Sequence, residues 1–135
     1  MKVIRISHLG VAPKDINQAL SFFQDTLGLS HEGSEKVEDQ LVNVDFLQCE
    51  KSRLELLAPT NSESPIAKFL ETRGSGIHHV ALEVDNIEEW LNHLKKNKIQ
   101  LIDEAPRLGA HNTKIIFIHP RATGGILVEL VEESK

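Results

Sequence analysis

Apolar and polar side chains alternate over residues 3–12, and apolar ones then recur at helical spacing at Ile16, Ala19, Leu20, Phe23 and Leu27. That change of period predicts a strand followed by a helix, with Asp15 as its N-cap and Gly28 as its stop. Alternation returns in Leu41 to Leu47 and again in Arg53 to Leu57, around the polar turn Glu50-Lys51-Ser52, as in a β-hairpin. Residues 29–40 leave room for one further short strand.

The same order of patterns then repeats. Residues 77–84 predict a strand, and Asn86 caps a helix that gathers Ile87, Trp90, Leu91 and Leu94 on one face. Glu88 and Glu89 at its start and Lys95, Lys96 and Lys98 at its end suit the helix dipole. Ile99 to Ile102, Ile115 to Ile118 and Ile126 to Val131 supply the remaining strands, with turns at Asp103 to Asn112 and Pro120 to Gly125. Between the repeats, Ser64-Pro65 opens a short helix carrying Ile66, Phe69 and Leu70, which Gly74 ends. The expectation is one α+β domain over residues 1–135. It comprises a first βαβββ module at about 1–58, a connector at about 59–76 and a second module at about 77–135. Side by side, the modules would form a curved mixed sheet with both helices on its convex face and a pocket on the other.

Composition narrows the function. The chain of 135 residues, 40% apolar, suits a single compact core. A net charge of -5 and the lack of any Lys/Arg block argue against nucleic acid as a partner. No run approaches the ~20 apolar residues of a membrane helix, and Met1-Lys2-Val3-Ile4-Arg5 enters a strand pattern without a secretory signal. The expected setting is therefore cytoplasmic. Cys49, the only cysteine, excludes an intrachain disulfide and a thiolate zinc cluster, so a bound metal must use nitrogen and oxygen.

The chemistry lies in a doubled pair. His8 and His79 stand at equivalent points of the two repeats, and each repeat closes on a strand with one glutamate among aliphatics, Glu55 in Leu54-Glu55-Leu56-Leu57 and Glu129 in Val128-Glu129-Leu130-Val131. Strand parity sets His79 with Ala81 and Glu83 and apart from His78, Val80 and Leu82; it sets His8 with Gly10 and Ala12 and apart from Leu9 and Val11. Each glutamate likewise points away from its flanking leucines or valines. A lone strand His or Glu is ordinary. Four that repeat together, two of them carboxylates costly to bury unpaired, predict a divalent cation held by His8, Glu55, His79 and Glu129. Cobalt, zinc, manganese and nickel all suit such donors. His93, His31, His111, His119 and Cys49 read as solvated or turn residues.

These residues resemble the vicinal oxygen chelate superfamily and, within it, the methylmalonyl-CoA epimerase family. The resemblance covers nearly the whole chain. It rests on Glu55-Leu56-Leu57-Ala58-Pro59 with Ser64 to Leu70, on Gly76 to Ile87, and on Gly109-Ala110-His111 through His119-Pro120 to Leu130. It implies a metal-dependent isomerase, a homodimer, and a coenzyme A thioester substrate whose C2 proton is removed and returned through a metal-stabilised enolate. Glu129 is then the base. A second, non-ligand carboxylate of the family falls on Val44 or Asp45, and the alternation Val42, Val44, Phe46 against Asn43, Asp45 favours Asp45. Arg107, Lys114 and Arg121 are the basic residues nearest the pocket-side turns and the candidates for coenzyme A. A glyoxalase I-type lactoylglutathione lyase and a metal-free sequestering protein of the bleomycin-resistance type are the alternatives.

Overall fold

The structure, a computed structural model, describes residues 1–133. No helix among them is long and apolar enough to cross a membrane. The chain divides into two compact units, one of residues His8–His78 and the other of Met1–Ser7 with the residues from His79 onward.

The first unit takes its β-α-β-β-β order from the pattern in its sequence. Strand β1 (Val3–Ala12) leads to helix α1 (Ile16–Leu20), followed by β2 (Ser30–Val37), β3 (Val42–Cys49), β4 (Ser52–Pro59) and α2 (Pro65–Arg73). The strands lie in the order β2-β3-β4-β1, with β1 parallel to β4 and the other pairs antiparallel. Strand β2 fills the stretch left open for it. Asp15 caps α1 by accepting from the Gln18 N–H at 3.1 Å, and the helix runs on as a π-turn over Ser21–Thr26 until Gly28, whose φ of 77° suits a residue without Cβ. Ser64 accepts from the Ile66 N–H at 3.1 Å and Pro65 starts α2.

The second unit repeats the plan with β5 (Gly76–Val84), α3 (Ile87–Lys96), β6 (Arg107–Leu108), β7 (Lys114–Ile118) and β8 (Val128–Glu132), in the order β5-β8-β7-β6. Asn86 caps α3 through the Glu89 N–H at 3.2 Å. The apolar side of α3, Ile87 and Leu91, packs on Val84, Ile116, Ile118 and Leu130, with Trp90 and Leu94 at the margin. The run Ile99 to Ile102 departs from expectation. It shortens to a single bridge, Leu101 to Ile118, with the Ile102 N–H donating to the Phe117 carbonyl at 2.9 Å and the His119 N–H to the Gln100 carbonyl at 3.0 Å, while Ile99 and Leu101 close the α3 cluster from the side. A short apolar run plugs a core as readily as it pairs in a sheet, and its pattern does not separate the two. The second strand of the unit is β6 instead, inside the stretch expected to be a turn. Strand β8 begins at Val128 rather than Ile126, because Gly124 and Gly125 hold φ of 84° and 99° and the Ile126 N–H is taken by the Thr123 hydroxyl at 3.1 Å.

The first seven residues belong with the second half. The Lys2 N–H donates to Asp85 at 3.0 Å, Arg5 Nε to Glu83 at 2.6 Å and the Ser7 hydroxyl to Glu133 at 3.1 Å. The compact units therefore exchange the start of β1 relative to the sequence modules. The bond from Lys2 holds the Asp85 carboxyl below the usual carboxylate range, with the nearby N-terminal charge acting the same way.

Two outcomes follow for stability. Ile116→Ala, in the fully buried α3 cluster, should cost about 2–5 kcal/mol in urea unfolding. Asp85→Asn should lower the melting temperature slightly at neutral pH. A depressed carboxyl contributes above its unfolded pKa and loses that contribution as pH falls through the folded one, so wild type and variant should converge in acid.

Candidate active site

Strand register fixes which side chains share a face. In the first unit Phe46 lies opposite Glu55, Val44 opposite Leu57 and Gln48 opposite Arg53, while β1 sets Gly10 beside Glu55 and His8 beside Arg53. One face thus carries His8, Glu55, Arg53, Gln48, Phe46 and Val44; the other carries Leu47, Leu54 and Leu56. In the second unit Ala81 and Phe117 flank Glu129, so His79, Glu129, Phe117 and Ile115 share a face opposite the α3 cluster. Phe46 and Phe117 are equivalents, each directly across from the glutamate of its unit.

Each histidine meets its own glutamate. His8 Nδ1 lies 3.2 Å from Glu55 Oε2, and His79 Nε2 lies 3.0 Å from Glu129 Oε1. All four side chains are buried, with relative exposures of 5% for His8, 4% for Glu55, 6% for His79 and 5% for Glu129. Phe117 packs edge-on to the His79 ring at 5.5 Å between centroids, which narrows its freedom. Each pair offers an imidazole nitrogen and a desolvated carboxylate, without sulfur, donors that suit a divalent cation. A carboxylate kept this dry is stable only when paired or coordinated, and the imidazole beside it serves either purpose.

Asp45 is a correction. It pairs across from Leu56, on the face opposite Glu55, and His31 Nε2 reaches its Oδ1 at 2.9 Å. Val42, Val44 and Phe46, expected on the helix-covered face, line the face of Glu55 instead, and Leu47, Leu54 and Leu56 take the other. Alternation separates two faces without saying which one a helix covers. The partner of Asp45, His31, expected in a connection, lies on β2. Glu35 was also missed: it stands across from Val44, which puts it on the face of Glu55.

The basic candidates divide. Arg107 lies across from Ile115 and so on the face of Glu129, and its guanidinium pairs with buried Asp103 at 3.1 Å. Lys114 lies across from Glu132, on the opposite face. Arg121 is exposed in a 3₁₀ turn whose cap, His119, accepts the Arg121 N–H at 3.0 Å, so His119 is a turn residue. His78 packs against Phe69 of α2, edge to face at 5.1 Å, as a structural contact.

A fold with two βαβββ repeats and an imidazole–carboxylate pair in each is that of a known superfamily. The chain belongs to the glyoxalase/bleomycin resistance protein/dioxygenase superfamily, whose pattern matches residues 7–117. It is 45% identical over 95% of its length to an uncharacterized protein of Bacillus subtilis, YqjC, covering 91% of that protein. It is 40% identical over 96% of its length to the mitochondrial methylmalonyl-CoA epimerase of Mus musculus, covering 73% of that protein. A solved methylmalonyl-CoA epimerase in complex with methylmalonyl-CoA and ammonium matches 98% of this chain and 96% of its own, with a TM-score of 0.91 and 29% identity.

Asp45→Asn tests the correction. It should loosen the β2–β3 pair by about 1 kcal/mol through the lost His31 interaction, and leave cobalt binding by the protein unchanged in a visible-absorption titration.

Proposed function

We propose that this protein interconverts the two C2 epimers of methylmalonyl-CoA by removing and returning the proton between the thioester and the carboxylate, with one divalent ion held by His8, Glu55, His79 and Glu129. The observation that carries the reading is the pair of buried His–Glu contacts at equivalent places in the two repeats, in a chain 40% identical to an epimerase of that substrate. The nitrogen and oxygen donors suit cobalt, zinc, manganese or nickel.

A divalent ion bound there supplies Lewis acidity toward the substrate's oxygens, which lowers the cost of the enolate. Glu129 is the base, its carboxylate oriented by His79 and kept dry by Phe117 and Ile115. A positioned carboxylate of this kind contributes on the order of 10²–10⁴-fold. The apolar surroundings of Glu129, with Ala81 and Phe117 on its flanks, exclude water that would compete for the proton. Arg107 and Arg121 are the basic residues proposed to meet the phosphates of coenzyme A. Lys114 leaves that set because its side chain belongs to the opposite face.

The chain is further proposed to act as a homodimer. The support is the first half of β1, where Ile4 and Ile6 share one face of the strand and are both exposed, an apolar patch that a second copy would cover. Light scattering on the purified protein at micromolar concentration should return twice the chain mass.

The deciding experiment follows solvent deuterium into C2 of methylmalonyl-CoA by mass spectrometry. Chelator-stripped protein should lose exchange and cobalt should restore it. Glu129→Gln should reduce exchange by at least about 10²-fold and weaken cobalt binding. Exchange that survives chelation would remove the metal from the reaction, and turnover of a methylglyoxal–glutathione adduct without exchange would make the protein a lyase.

A further inference from the structure

The two halves of the duplication match in their ligands and differ in their charge. Two residues before Glu55 stands Arg53, on the same face; two residues before Glu129 stands Leu127. The Arg53 guanidinium closes on a single oxygen of Glu55, with Nε at 3.1 Å and Nη2 at 3.0 Å from Oε2. Both partners are withdrawn from solvent, with side-chain exposures of 15% and 6%, so the pair is barely screened. His8 Nδ1 approaches that same Oε2 at 3.2 Å.

We propose that Arg53 is a positioning residue that makes Glu55 an electrically neutral, one-oxygen ligand: it fixes the carboxylate through Oε2, presents Oε1 to the cation, and cancels the charge Glu55 would otherwise donate. The inference rests on the reading of His8, Glu55, His79 and Glu129 as metal ligands. Two anionic ligands would bind a divalent ion tightly and spend much of its positive charge. With Arg53 cancelling one of them, the ion keeps more of its pull on the substrate's oxygens, and the carboxylate left to act as base is the one in the second repeat. Arg53 touches neither substrate nor reacting proton in this account; it acts through Glu55.

The test compares wild type, Arg53→Met, Glu55→Gln and the double variant, using cobalt(II) affinity from visible absorption, melting temperature of the metal-free protein, and kcat and KM. Arg53→Met should melt lower without metal, bind cobalt about tenfold tighter or more because an uncompensated charge faces the ion, and lose kcat with little change in KM. Glu55→Gln should bind cobalt more weakly, since it leaves Arg53 without its counter-charge. The double variant, neutral by a different route, should return to near the wild-type affinity. A double variant that binds cobalt as weakly as Glu55→Gln, or an Arg53→Met affinity equal to wild type, would overturn the proposal. If Arg53→Met does not fold, the comparison of Glu55→Gln with the double variant decides, because the double must bind the more tightly. Absence of cobalt binding by wild type would instead defeat the metal reading and this inference with it, whereas wild-type cobalt binding that Arg53→Met leaves unchanged would defeat this inference alone.

Discussion

Everything distinctive in this protein depends on keeping two carboxylates dry. Glu55 and Glu129 sit on strands flanked in sequence by leucines and valines, at positions an apolar residue would fill at lower cost. Desolvating a carboxylate is expensive unless another charge or a cation meets it. Each unit meets that requirement in the same way, with an imidazole on the neighbouring parallel strand at 3.2 Å in one and 3.0 Å in the other. The β-α-β-β-β order serves this end: the helix crossover makes the first and last strands of a unit parallel neighbours, which puts the histidine of one beside the glutamate of the other.

The rest of each unit supports the pair from behind. In the second unit α3 presses Ile87 and Leu91 onto Val84, Ile116 and Leu130, so the face away from Glu129 is the hydrophobic one and the strands cannot slip by one residue without burying charge there. In the first unit Leu47 and Leu56 play that part. On the side of the pair, Phe46 and Phe117 occupy equivalent positions across from the two glutamates and leave little room for water. Duplication has kept the His–Glu pair and the aromatic neighbour but places Arg53 where the second unit has Leu127, so Glu55 has a guanidinium beside it and Glu129 an apolar residue at the equivalent place.

The sequence by itself determined the periods, the caps and the repeat. Asp15, Ser64 and Asn86 cap the helices they were expected to cap, and the four His and Glu residues share faces with the neighbours their parity assigned. These are local properties, set by spacings of 2 and 3.6 residues and by side chains that bond their own backbone. Tertiary structure decided what spacing cannot reach. How far Ile99 to Ile102 pairs depended on the α3 cluster that it also closes. The start of β1 joined the second half because Asp85, Glu83 and Glu133 are there to receive Lys2, Arg5 and Ser7. Asp45 fell on the face away from Glu55 because alternation names two faces without naming which one a helix covers. Arg53 gained its meaning only from the position of its guanidinium, since a basic residue two places from a glutamate on a strand is unremarkable until burial removes the water between them.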